Sequence, residues 1–238
     1  MNAAQASQDS LFVEVPETTL RGSDIVVPAF LVAKYMSSVD ADNKAYISAT
    51  EKPAVNINVY DSIKAAESAG LELITNLRYL ALAQNICETA ANWTSWTVGE
   101  GKLRQGLRKG TVDEVQANDY EPADSDECRW FLLPTGERVY DVAGHLYSWV
   151  RADVEGDPET GLVNAPFAEG SPSIATAPYP SMEKGMGWYP KAGSDWSGHA
   201  LVRGGCFYSD GRSGVFYLGN DFPGVELDII GFRCTKPR

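Results

Sequence analysis

The chain has 238 residues, a net charge of −12, 44% hydrophobic residues and six tryptophans. That acidity excludes a nucleic-acid backbone or an anionic membrane as partner, because nothing would neutralise the opposing phosphates. The apolar content suffices for one sizeable core, and β-rich folds often reach this length as one unit.

Residues 1–10 are polar and expected to fray. The N-terminus, MNAAQASQDSLFVEV, has neither the basic nor the apolar region of a signal peptide, and no apolar run is long enough to span a membrane. The expectation is therefore synthesis in the cytoplasm, with display on a phage particle or a cell surface left open. LFVEVPE, from Ser10 to Glu17, alternates like a strand that Pro16 ends or places on an edge. Ile25–Met36 reads as a second strand and Asp40–Lys44 as a turn. Ala54–Val59 leads into Asp61-Ser62, a helix cap, and that helix stops at Gly70. Thr75 or Asn76 caps a second helix, with Leu77, Leu80, Ala81 and Gln84 at helical spacing, fading near Cys87–Asn92.

Trp93–Gly110 is rich in glycine and tryptophan, and Asp113–Glu127 is acidic and loop-like. Asn92-Trp93-Thr94 matches a glycosylation sequon, which without a signal peptide reads as chance. Trp130–Leu133, a Pro-Thr-Gly turn and Arg138–Val142 predict a hairpin. From Arg151 to Gly198 the chain is punctuated by Gly, Pro and Ser with no helical period, so turns or function must pin it. Asp153, Glu155, Asp157 and Glu159 alternate like calcium-loop ligands, but Pro158 stands where the EF-hand needs glycine. A solvated acidic loop is expected there, and no metal. The fold class is α+β, two helices among short antiparallel sheets and long loops. Repeats are absent and no composition break marks a linker. Residues 1–15 form a tail and first strand, and 16–238 a single domain.

Cys87, Cys128, Cys206 and Cys234 lack CxxC spacing, which argues against zinc. Cys206 and Cys234 flank a Gly, Ser, Asp and aromatic-rich stretch and could meet if its ends pair; buried free thiols are the alternative. His145 and His199, the two histidines, stand in no recognisable arrangement with a nucleophile, and His145 is expected to make a structural hydrogen bond.

The order of landmarks is more specific than any one of them. Phe30–Tyr35, Pro53–Asn56, the helix from Asp61, a second helix, Asp141–Val150, Leu201–Gly205 and Ile230–Cys234 follow one another along the chain. In this order they resemble the formylglycine-generating-enzyme-like branch of the C-type lectin fold, over roughly residues 25–234. The corresponding family stretches read W-x-A, G-N-V-W-E-W-V, R-G-G-S-W and G-F-R. Within that branch the resemblance is to the variable proteins of diversity-generating retroelements, whose C-terminal surface is rewritten at template adenines. Leu73-Ile74-Thr75-Asn76, the AGHLYSWV run, Ser213-Gly214-Val215-Phe216 and the final GFRC carry it.

A codon argument points the same way. Randomising the first two bases of an Asn codon gives NNY, which cannot encode Lys, Gln, Glu, Met or Trp. From Cys206 to Ile230 there is no Lys, Gln, Met or Trp, and Glu226 alone must be an unmutated position. An ordinary window would lack these residues on the order of one time in ten.

The resemblance implies an unspecified protein or other macromolecular ligand, bound at the C-terminal face without a cofactor, and is compatible with a homo-oligomer. Expected exposed binders are Cys206, Tyr208, Asp210, Arg212, Tyr217, Gly219, Asp221, Phe222, Val225, Leu227 and Asp228. Expected scaffold is Arg203, Gly204, Gly205, Gly214, Val215, Phe216, Leu218, Pro223, Ile229, Gly231, Phe232 and Arg233. Trp188, Tyr189, Trp196 and His199 either frame the patch or, for the tryptophans and Tyr189, fill core space. One alternative is a copper-dependent formylglycine-generating oxidase or a degenerate relative. Such enzymes carry two cysteines soon after R-G-G, whereas only Cys206 stands here, and soft Cu(I) requires a thiolate pair. The other alternative is a non-variable phage or bacterial adhesion module.

Overall fold

The computed structural model describes residues 10–175 and 181–238. The expected fraying of the N-terminus falls, Ser10 apart, outside them. Strand β1 (Phe12–Val15) follows the apolar alternation and stops at Pro16. The second expected strand is split. Pro28, which has no N–H to give a ladder, separates β3 (Val26–Val27) from β4 (Phe30–Ala33), and β3 pairs instead with β2 (Thr18–Thr19). The Asp40–Lys44 turn closes a small hairpin of β5 (Ser38–Val39) and β6 (Ala45–Tyr46), with Asp40 Oδ1 accepting from the Asp42 and Lys44 amides, both at 2.9 Å.

Helix α1 (Val59–Ser68) begins earlier than Asp61-Ser62 suggests, because Asn58 is the cap. Its side chain accepts from the Asp61 amide at 2.9 Å, which satisfies an otherwise orphaned donor of the first turn. Val59, Ser62, Ala65 and Ala66 form its buried face, and Gly70, at φ +70°, terminates it as expected. After β7 (Glu72–Leu73), Thr75 caps α2 (Asn76–Cys87). This helix is buried on nearly every side, polar Asn76, Gln84 and Asn85 included. It is the central rod of the core, not a one-sided surface helix. Asn92 of the sequon is fully buried, its Nδ2 donating to the Ile86 and Leu132 carbonyls at 2.8 Å each, so it is an internal strut.

The predicted hairpin is β8 (Trp130–Leu132) with β9 (Arg138–Tyr140). The remaining strands are β10 (Tyr147–Val150), β11 (Ala200–Arg203), β12 (Leu218–Asp221), β13 (Ile230–Phe232) and β14 (Cys234–Pro237). They build two four-stranded sheets. One has the order β1-β4-β14-β7 and is antiparallel; the other is β12-β11-β10-β13, with β10 and β13 parallel. The chain passes from the second sheet to the first at one residue, Arg233. Its buried guanidinium donates to the Ala33 carbonyl at 2.6 Å and to the Tyr140 carbonyl, tying both sheets to the β8–β9 hairpin.

The acidic run at 153–159 is not the simply solvated loop that the sequence suggests. Asp153 Oδ1 accepts from the Leu77 amide at the start of α2, 3.0 Å away. Glu155 is buried and accepts from the Ser171 and Ser173 hydroxyls, the latter at 2.6 Å. Asp157 folds onto Thr160. The carboxylates of Asp153, Glu155 and Asp157 are thus used to hold the irregular 151–175 segment in place. Among the described residues no cluster of three His, Cys, Asp or Glu could hold a metal ion. All four cysteines are free, Cys206 and Cys234 included.

Candidate functional site

The expected binding stretch leaves the second sheet at the end of β11 through Arg203-Gly204-Gly205. Gly204 has φ +90°, and a Cβ there would lie 2.7 Å from the Val142 carbonyl oxygen, so only glycine fits. Arg203 is fully buried. Its Nε and Nη2 donate to Asn76 Oδ1 at 3.0 and 2.7 Å, Nη2 also to the Ser173 carbonyl at 3.0 Å, and Nη1 to the Phe216 carbonyl at 3.2 Å. Asn76 in turn donates to Ser173 Oγ at 2.7 Å, and Ser173 to Glu155. One guanidinium thus joins β11, α2, the 151–175 segment and the chain just before β12. Burial brings its pKa down to about 10, with Tyr79, Glu155 and Asp153 acting the other way, so it stays charged at neutral pH.

A second buried group supports the turn from below. Arg129 makes a bidentate pair with Asp141 at 2.8 and 2.6 Å, and His145 Nδ1 lies 3.3 Å from the same carboxylate. His145 Nε2 accepts from the Gln116 amide at 2.9 Å, so the imidazole is neutral with its proton on Nδ1. The His145 carbonyl then receives the Phe207 amide at 3.0 Å. The structural hydrogen bonding expected of His145 is present and reaches directly into the candidate site.

On this base the expected binders separate. Tyr208, Asp210 and Arg212 are exposed and border a groove of about 450 Å³ with Lys102, Met182 and Glu183. Tyr208 is 55% exposed, its hydroxyl donating to the Asp113 carbonyl at 3.1 Å. Tyr217 is half-buried between Tyr147 and Trp188, with ring centroids 5.4 and 6.2 Å away. Burial raises the pKa of both tyrosines, so their hydroxyls stay protonated, and that of Tyr147 accepts from Ser209 Oγ at 3.2 Å. Phe222 is 66% exposed and lies against His199. From Phe222 to Ile229 exposure alternates: Phe222, Gly224, Glu226 and Asp228 face outward, while Val225 and Leu227 are half-buried against the core beside α1. Asp221 is half-buried, accepting from the Phe222 amide at 2.8 Å. Glu226 Oε1 accepts from Asn58 Nδ2 at 3.1 Å, which gives this residue a fixed task at the start of α1.

Two expected binders are fully buried. Cys206 is 2% exposed, because the Gly-Gly turn sends the chain inward before it emerges at Tyr208; its amide donates to Ser209 Oγ at 2.8 Å. Gly219 lies buried in β12, where a Cβ would sit 2.9 Å from the Tyr217 hydroxyl oxygen and 3.2 Å from Val202. Among the framing residues, Trp188 is exposed beside Tyr217, whereas Trp196 is half-buried, edge-on to Phe167 at 5.1 Å. Sequence reasoning missed Met182 and Glu183, which come from the irregular loop and carry no local signal, and Tyr147, which reads as an ordinary strand residue.

No family model matches this sequence, and no curated protein matches it. Among solved structures, it is similar to Treponema denticola variable protein 1, with a TM-score of 0.51 and 14% identity over 95% of each chain. It is also similar to two Major Tropism Determinant variants, M1 and I1, each with a TM-score of 0.50 at 16% and 14% identity. Both of these matches cover 95% of this chain and 55% of the other. The fold is the C-type lectin fold. In this lectin fold the R-G-G turn, the two buried arginines and β10–β13 form the frame, and the exposed residues above lie in the two connections flanking β12. Among the described residues no helix is long and apolar enough to cross a membrane.

Proposed function

We propose that this chain is a ligand-binding protein whose exposed C-terminal face, between Tyr208 and Asp228, is diversified by a retroelement. The observation that carries the reading is the separation of roles within one short stretch. Arg203, Gly204, Gly205, Gly214, Val215, Phe216, Gly231, Phe232 and Arg233 are buried, while Tyr208, Asp210, Arg212 and Phe222 project outward. A surface meant to change its side chains needs this division, since replacements at exposed loop positions leave the core untouched. The lectin fold and the NNY-like alphabet of residues 206–230 support it further. Tyr208, Arg212, Tyr217 and Phe222 are the side chains best suited to carry binding energy for a macromolecular partner. Display on a phage particle or a cell belongs to the same proposal. The oxidase alternative gains nothing from the surroundings of Cys206, where the neighbouring group is the Ser209 hydroxyl at 3.6 Å and not a second thiol.

The test is genetic. The DNA flanking the gene should hold a near-copy of its 3′ end, with adenines wherever the copies differ, beside a reverse transcriptase gene. The differences should fall on codons for Tyr208, Asp210, Arg212, Tyr217, Asp221, Phe222, Val225, Leu227 and Asp228, and spare Glu226. A flanking region without any such repeat removes the proposal.

A further inference from the structure

Next to that face, and built wholly from residues upstream of it, lies a pocket of about 370 Å³ between the 93–104 segment and the turn at Ser125–Asp126. Lys102, Arg104 and Arg108 line it. In a chain of net charge −12, a pocket lined by three cations and one acid, Asp126, is an unusual local balance. Among the described residues none of the three has an ion-pair partner. The nearby acids are already engaged. Lys109 holds Asp124 and Asp126 at 2.6 and 3.2 Å, and buried Glu127 accepts from the Arg108 and Lys109 amides and the Thr111 hydroxyl. Arg104 stacks on Trp130 at 4.7 Å, which fixes its guanidinium plane. Arg108 Nη1 donates to the Asp126 carbonyl at 3.2 Å, but its Nε is buried with no hydrogen-bond partner among the described residues, an unmet donor of a kind that native structures rarely leave.

The fourth feature is Trp96, which also lines the pocket and is 67% exposed. Its φ is +59°, a conformation that a bulky side chain adopts only under constraint. The constraint is visible. The Trp96 amide donates to the Trp93 carbonyl at 3.0 Å, Ser95 Oγ donates to the Glu100 carbonyl at 2.7 Å, and the Thr94 amide donates to the Lys102 carbonyl at 2.9 Å. A strained turn therefore holds an indole in solvent beside three cations that lack an ion pair among the described residues.

We infer that this pocket binds a single sugar-sized ring carrying one anionic group, a carboxylate or a phosphate. The volume suits one ring, the indole offers a flat face to its C–H surface, and the guanidinium and ammonium groups suit either anion. Lys102 also borders the groove of Tyr208 and Arg212, so the pocket adjoins the proposed variable face. Its residues lie outside 206–228, and rewriting that segment would leave it intact. It does not rest on the diversification proposal, and failure of either leaves the other standing.

The experiment is isothermal titration calorimetry of the full chain at low ionic strength with glucuronate, glucose 6-phosphate and glucose. At least one charged sugar should bind, with a Kd on the order of a millimolar, and the affinity should fall as salt is added. Glucose should bind about tenfold more weakly or not at all, since it lacks the charge-assisted hydrogen bonds. The better charged ligand identifies the anion. Trp96→Ala and Arg104→Gln should each weaken binding about tenfold without lowering Tm, while Trp188→Ala, outside the pocket, should not. Binding of glucose as tight as that of its charged analogues, no binding of either charged sugar, or unchanged affinity in both pocket variants would each overturn the inference.

Discussion

His145 illustrates how single residues carry the site from below. Its Nε2 accepts the Gln116 amide, so a proton arriving there must break that bond inside a fully buried pocket. Burial holds the imidazole pKa below 6.5, although Asp141 opposes the shift. Below pH 6.5 the unfolded chain therefore takes a proton that the folded chain refuses, and stability falls as pH falls toward the folded-state pKa. Asp141 adds to the same trend lower down. Burial alone would raise it, yet Arg129 and His145 hold it well below the usual carboxylate range, so its contribution fades below about pH 4. The unfolding free energy from urea titrations should thus decline from pH 7 to 5, by up to about 1.4 kcal/mol per pH unit in the steepest part, and His145→Asn should flatten that decline. A slope that persists in the variant would place its origin elsewhere. Arg203 gives a second expectation at this scale. An ammonium cannot span Asn76, Ser173 and Phe216 together, so Arg203→Lys should cost about 3 kcal/mol in chemical denaturation, the usual result of breaking a buried charged network.

At the scale of elements, the two connections flanking β12 differ from the strand itself. Tyr208, Arg212 and Phe222 are exposed. Replacing each by serine should change stability by less than about 0.5 kcal/mol. Gly219→Val, in β12, must displace Tyr217 and should cost about 1–3 kcal/mol. Thermal or urea unfolding of the four variants checks the division; equal losses throughout would mean that the loops are core. The helices and hairpins were legible in the sequence because their signals are local: Thr75 ahead of a helical period, Gly70 behind one, Pro-Thr-Gly between two apolar runs. Asn58 was missed as a cap because Asp61-Ser62, one turn on, is an equally good local signal. Within the site, the outward residues Tyr208, Arg212 and Phe222 were legible as polar or aromatic positions among glycines. Cys206 and Gly219 were not, since their burial depends on where the Gly-Gly turn and Tyr217 lie in space.

For the whole molecule, the decisive pairings join distant parts of the chain, which is why no local pattern announces them. Thr235 stands opposite Val32 on one side and Glu72 on the other, so β14 fills the centre of the first sheet between β4 and β7. The preceding residue, Arg233, joins that sheet to the second and to the β8–β9 hairpin. The few residues after Phe232 therefore matter far beyond their number. Without Arg233–Arg238, β4 and β7 would each expose an unpaired edge, the Ala33 and Tyr140 carbonyls would lose a buried donor, and Cys234 would leave a gap in the core. Such losses together exceed the net stability of a typical domain. A chain ending at Phe232 should lack a cooperative thermal transition and should lose amide-exchange protection in β1 and β4, although both lie some 200 residues away in sequence. Retained protection in β1 and β4 would mean that the first sheet stands without its central strand. A chain ending at Pro237, which removes only Arg238 and its exposed pairing with Glu14, should unfold within about 0.5 kcal/mol of the full-length protein.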